Sequence, residues 1–119
     1  MASPHEFGRR CEQLAVAHLT ASGWHIVARN FRFGRREIDV IARRDNLIIF
    51  VEVKGRRGRG CGHPLEAIHP RKRREIQRVA LHWVSRFGSP GLMYRFDAIS
   101  VVGTADPPDI AHVEDAWRL

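Results

Sequence analysis

No apolar run in this 119-residue sequence approaches the ~20 residues that a membrane-spanning helix needs, the longest aliphatic stretch being residues 47–51. The opening residues, Met1 through Glu6, lack the uninterrupted apolar segment of a signal peptide. Cysteine is scarce. Cys11 and Cys61 allow at most one disulfide and sit in no paired metal-binding spacing, so reduced thiols in the cytoplasm are expected. The seven histidines contain no HExxH, and His63 follows Cys61 too closely for a zinc site. Absence of repeats and long linkers argues for one domain over residues 1–119.

Acid is the minority charge. Twenty Lys and Arg stand against 13 Asp and Glu, a formal charge of +7. Such a balance on a small domain favours acidic partners, with nucleic acid first and an anionic membrane surface second. Hydrophobic residues at 44% and charged residues at 28% together exclude a disordered chain.

Periodicity orders the elements. Phe7, Cys11, Leu14, Ala15 and His18 recur at helical spacing, predicting a helix over residues 5–21 that starts near Ser3-Pro4 and stops near Gly23. Residues 24–31 read as a first strand, with a turn at Gly34. Residues 36–43 and 47–54 read as a hairpin closed by Asp45 and Asn46, which both tolerate positive φ. A glycine-rich basic stretch spans 55–62, and residues 64–68 suit a turn of helix. The stripe of Ile76, Val79, Ala80, Trp83, Val84 and Phe87 predicts a second helix over 71–87. Residues 92–102 alternate like a strand, 103–108 form a loop, and 113–119 carry no clear pattern. Trp24, Trp83 and Phe87 are expected in the core. The order is α-β-β-β-α-β, an α/β fold in which three meandering strands join a fourth through a long helix. That connection suits a parallel crossover and a mixed sheet flanked by helices.

The hairpin sharpens the chemistry. With Asp45-Asn46 as its loop, Asp39 falls opposite Glu52 and Glu37 opposite Lys54. Alternation puts these four side chains on one face, and Ile38, Val40, Val51 and Val53 on the other. Opposed Cβ atoms lie about 4.5–5.5 Å apart, where like charges repel. A divalent cation such as Mg²⁺ removes the repulsion, because it binds through one or two carboxylates and keeps several waters. It also polarises phosphoryl oxygens and acidifies water. Lys54 would then offset charge on the phosphate or orient the attacking water. Spacing alone leaves open a solvated face on which Glu37 pairs with Lys54. All but two of the 20 cations are arginine, yet a compact lysine follows Glu52 at position 54.

The runs Glu37-Ile38-Asp39 and Phe50-Val51-Glu52-Val53-Lys54 resemble the PD-(D/E)XK nuclease signature. The whole chain looks like the YraN family of small bacterial proteins. Gly8, Glu12-Gln13-Leu14-Ala15, Arg29-Asn30, Pro64-Leu65-Glu66-Ala67, Lys72 and Arg95-Phe96-Asp97 carry that likeness. The resemblance implies a restriction-endonuclease-like core and a similarity to archaeal Holliday-junction resolvases, where a helix glutamate joins the strand Asp, Glu and Lys. Glu12 matches that glutamate; as an isolated residue it reads as a solvated helix charge. Arg36 and Cys11 depart from the family pattern, standing where glycines usually precede Glu-Ile-Asp and the helix glutamate.

Basic segments flank these residues. Arg56, Arg57 and Arg59 alternate with glycines and suit phosphate-backbone contact, or else form a surface loop. No Gly-Lys-Ser/Thr follows, so the stretch is not a Walker loop. Arg71, Lys72, Arg73 and Arg74 open the second helix against its dipole, costing about 0.3 kcal/mol each, which an anionic ligand would offset. Arg95 and Asp97 share a strand face, as a structural ion pair does.

The expected function is a Mg²⁺- or Mn²⁺-dependent phosphodiesterase acting on nucleic acid, DNA before RNA and structured or branched DNA in particular. Asp39 and Glu52 would hold metal, Glu12 would assist, and the resolvase likeness implies a homodimer. The alternative is a nucleic-acid-binding or adaptor protein that keeps the nuclease fold without turnover. A protein held to an acidic protein partner by charge is a third reading.

Overall fold

A computed structural model describes residues 3–58 and 68–118. Helix α1 (Pro4–Ala21) begins where the Ser3 hydroxyl accepts the Glu6 N–H at 3.2 Å, with Pro4 in the first turn. It buries Cys11, Ala15 and Leu19, each four residues from the next, and ends as Gly23 takes φ +92°. Strands β1 (His25–Phe33), β2 (Arg36–Arg44) and β3 (Leu47–Arg56) follow as a meander. Asp45, at φ +54°, makes the expected tight turn, and Arg44 pairs with Leu47. Helix α2 (Pro70–Phe87) leads to β4 (Met93–Val102), which runs parallel to β3.

A further strand, β5 (Asp109–Trp117), pairs antiparallel with β4, where the sequence showed a loop and a patternless end. Its alternation is broken by a bulge, with Asp115 at φ +51° and its N–H bonded to buried Asp97 at 3.0 Å. The sheet order is β1-β2-β3-β4-β5, and the α-β-β-β-α-β-β architecture is consistent with a restriction-endonuclease-like fold.

Among the described residues, each face of the sheet carries one helix. Val40, Ala42, Ile49, Val51, Ile99 and Val101 pack beneath α1, and Ile41, Ile48, Phe50 and Ala98 beneath α2. Each fully buried aliphatic chain contributes about 1.5–3 kcal/mol. Cys11 lies where glycines at 55 and 103 leave room, since an added Cβ at Gly55 would approach its sulfur to 2.7 Å. Burial pushes its thiol pKa up, against the opposing charges of Arg10 and Arg57, so it acts as a core residue. Cys61 and residues 64–67 of the turn expected over 64–68 lie outside the described residues. Trp24 and Trp83 are core as expected, whereas Phe87 is 52% exposed at the end of α2. No helix among the described residues is long and apolar enough to cross a membrane.

Candidate functional site

The hairpin ladder stops short of the residues it was expected to align. It runs from Arg44–Leu47 to Val40–Val51 and ends there. Asp39 therefore does not pair across the ladder with Glu52. Its Oδ2 accepts the Val53 N–H at 2.7 Å, occupying the place of a strand partner. Glu37 does not reach Lys54 either, and lies 3.7 Å from Arg32 of β1.

The cause is a change of face. Strict alternation would put Ile38 beside Val40 under α1, yet Ile38 packs with the α2 cluster. In β1, Ala28 and Phe31 also share the α2 side, although three positions apart. Both strands switch face together, at Asp39 in β2 and at Asn30 in β1, which the flanking pairs Arg29–Val40 and Phe31–Ile38 put opposite each other. Asn30 has φ +52°, a conformation its short polar side chain tolerates. Local departures of this kind concentrate at working sites.

Asp39 feels the charge of two further carboxylates, Glu52 and Glu12, carried on two other elements. Glu52 of β3 is 6% exposed and, two residues from Phe50, lies on the α2 side. It accepts the ammonium of Lys72, in the first turn of α2, at 2.5 Å. Glu12 of α1 follows buried Cys11 and accepts the Asn30 side-chain amide at 3.0 Å. Burial, then the neighbouring charges of Glu52 and Glu12, push the Asp39 pKa up to about 8, against the Val53 hydrogen bond and Lys72. Lys54 is exposed on the Glu52 side of β3.

The donor set suits a hard cation. Oxygen donors without His or Cys favour Mg²⁺ or Mn²⁺ over zinc, and burial with two acidic neighbours makes Asp39 hold its proton more tightly than an ordinary carboxylate. Among the described residues, no three His, Cys, Asp or Glu side chains converge tightly enough to ligate one ion together. An ion such as Mg²⁺ that keeps several waters takes only one or two protein carboxylates.

Of the basic residues expected to track phosphates, Lys72 reaches Glu52. Arg57 stacks over Phe7 at 4.1 Å, and Arg73 donates to the Ile68 carbonyl at 3.0 Å. Arg71 lies 4.0 Å from Glu75 at the surface, and Arg74 is exposed. Arg56 is half-buried at the end of β3, and Arg59 lies outside the described residues. Arg95 holds Asp97 through two 2.8 Å hydrogen bonds, the expected ion pair. Asn30 is the site residue that sequence reasoning did not single out on its own; an asparagine within a run of β-formers was its available signal.

The chain matches Uncharacterised protein family UPF0102, the YraN family, over residues 11–101. A UPF0102 protein of Chlorobaculum tepidum is 42% identical, spanning 100% of this chain and 97% of its own length. One from Chloroherpeton thalassium is 38% identical over 94% and 93%. One from Geobacter sulfurreducens is 41% identical over 94% and 88%. The span 11–101 includes Glu12, Asn30, Asp39, Glu52, Lys54 and Lys72.

Proposed function

The chain belongs to the YraN family, UPF0102, and from that premise we propose that it is a metal-dependent phosphodiesterase acting on nucleic acid, with DNA the expected substrate. The observation that carries this reading is Asp39, directed into the gap where β2 leaves β3, beside buried Glu52. A fold optimised for stability alone would not put two carboxylates there, since burial and mutual charge make ionising both costly.

Asp39 and Glu52, assisted by Glu12, would hold Mg²⁺ or Mn²⁺, and such an ion supplies Lewis-acid polarisation of a phosphoryl oxygen and a more acidic water. The protein's own groups do the rest. The Val53 N–H fixes one Asp39 oxygen, leaving the other to face the site. The Asn30 amide orients Glu12. Lys72 neutralises Glu52 and draws an anionic strand toward the carboxylates. Lys54, exposed on the Glu52 side of β3, offers an ammonium to charge growing on the phosphate. In the overall reaction water adds to phosphorus, one P–O ester bond breaks, and the leaving sugar oxygen takes a proton.

The Lys72–Glu52 pair supports a second reading as well. It compensates Glu52 without any cation, as a binding or adaptor protein that keeps the fold would require. Cleavage of labelled single-stranded, duplex and four-way-junction DNA, and of RNA, in Mg²⁺ and Mn²⁺ separates the two. Wild type should cut at least one substrate, and Asp39→Ala from a parallel purification should cut it at least about a hundredfold more slowly while still binding. Equal cutting by both proteins, or binding by wild type with no cutting, overturns the enzyme in favour of the binder.

A further inference from the structure

A concave site lies between the β1–β2 turn and α2. It encloses 460 Å³ and is lined by Phe33, Arg35, Arg36, Arg71, Glu75 and Arg78, among others. Gly34, at φ +66°, turns the chain tightly and puts Arg35 at the apex. Arg71 and Arg78, seven residues apart, present one side of α2 to it. Among the described residues, Glu75 is the only acid in the lining. It pairs with Arg36 and lies 4.0 Å from Arg71. One carboxylate therefore stands among four guanidiniums and pairs with two of them, and Arg35 and Arg78 find no partner among the described residues. Gathering like charges in a hollow costs stability unless an anion offsets it.

The hollow also has an aromatic wall. Phe33 is 46% exposed and rests on the His82 ring, with centroids 4.0 Å apart and planes 13° apart. The stack braces the phenyl ring and leaves apolar surface beside the arginine forks. Guanidiniums match phosphate oxygens in pairs, and an aromatic ring takes any base by stacking. The volume falls in the range of about 300–1,000 Å³ for small-ligand sites, suitable for one nucleotide. Paired bases have both faces stacked within the duplex and expose only their edges, so a duplex cannot use this wall.

We infer that the arginine hollow between the β1–β2 turn and α2 binds an unpaired nucleotide, its phosphate on Arg35 and Arg78 and its base against Phe33. The substrate class is then a nucleic acid with an unstacked segment next to the bond that is cut. Arg71 precedes Lys72, whose ammonium lies on Glu52, and Arg36 lies three residues before Asp39 on β2, so one strand can serve both places. The role as a substrate site rests on the phosphodiesterase reading, whereas the binding itself does not.

The test is fluorescence anisotropy with the full chain in chelator, so that nothing is cut. The probes are labelled oligodeoxythymidine and oligouridine of about 12 nucleotides, and a duplex of equal length. Wild type should bind one or both single strands more tightly than the duplex. Phe33→Leu keeps apolar contact with His82 but removes the ring, and should weaken single-strand binding about five- to tenfold and duplex binding less than twofold. The double variant Arg35→Ala/Arg78→Ala should lower the slope of log affinity against log salt by about 1.4, or 0.7 for each lost phosphate contact. Equal effects of Phe33→Leu on both probes, no effect on either, or an unchanged salt slope overturns the proposal. Phe33-dependent binding in a protein that never cuts defeats the phosphodiesterase alone. Cleavage with Phe33-independent binding defeats the hollow alone.

Discussion

Asp39 and Asp97 flank β3 in the same sheet and are held in opposite ways. Asp97 is fully buried and surrounded by donors: two from Arg95 at 2.8 Å, His112 Nε2 at 2.8 Å and the Asp115 N–H at 3.0 Å. Burial alone would raise its pKa, but the hydrogen bonds from His112, Arg95 and Asp115, with the Arg95 charge, together hold it below the ordinary carboxylate range. Asp39 has one backbone donor, and burial together with two acidic neighbours raises its pKa to about 8. A buried acid among donors knits a bulged edge strand to the sheet. An acid among acids costs stability, and that cost makes a role in chemistry the economical explanation.

The largest effect that tests this contrast is on stability. Asp97→Ala leaves the Arg95 guanidinium without its buried partner and should cost about 3–5 kcal/mol by urea unfolding. A loss under about 1 kcal/mol, the level of an exposed pair, would show the cluster to be dispensable.

Asp39→Asn should act in the other direction. The amide oxygen can still accept the Val53 N–H, while the repulsion with Glu52 and Glu12 is gone. In metal-free protein near pH 8 we expect a gain of about 1–3 kcal/mol, a figure reduced for solvent screening of a half-buried group. The pH dependence has opposite signs at the two sites. Between the ordinary carboxylate value of 3.8 and about 8, folded Asp39 keeps a proton that the unfolded chain has lost, so its contribution to stability falls as pH rises. Asp97 contributes above the ordinary value, and loses that contribution as pH falls through its lowered folded pKa. Urea midpoints between pH 5 and pH 9 should show Asp39→Asn flattening the decline seen in wild type. Parallel curves would mean that Asp39 has an ordinary pKa.

The smallest effect concerns orientation. Asn30→Gly tolerates φ +52° but removes the amide that holds Glu12. Mn²⁺ affinity measured by calorimetry should fall about tenfold, with little change in the urea midpoint. Unchanged affinity would remove Asn30 and Glu12 from the site together.

Much of this was legible in the residues. The Asp45-Asn46 turn and the hydrophobic runs around it established the hairpin and its register as far as Val40 and Val51, because a two-residue loop leaves no freedom to slip. Beyond Val40 the reading failed. The switch of face at Asn30 and Asp39 is a joint property of two strands, and neither shows it alone. β5 went unread for a similar reason, since Asp97 holds its bulge from another strand. Phe87 fits the apolar stripe of α2 yet ends at the surface, because periodicity records which side a residue faces and not how far the sheet extends beneath it.

The order of elements through residue 102, the two amphipathic helices, the basic balance and the likeness carried by Asp39, Glu52 and Lys54 all follow from the residues in chain order. Those are properties of local period, turn chemistry and composition. Folding in three dimensions is what pairs Lys72 with Glu52, puts the Asn30 amide on Glu12, and gathers arginines from a turn and a helix around one hollow. Such contacts join residues far apart in the chain, and their geometry depends on how helices pack on a twisted sheet, which no local pattern records.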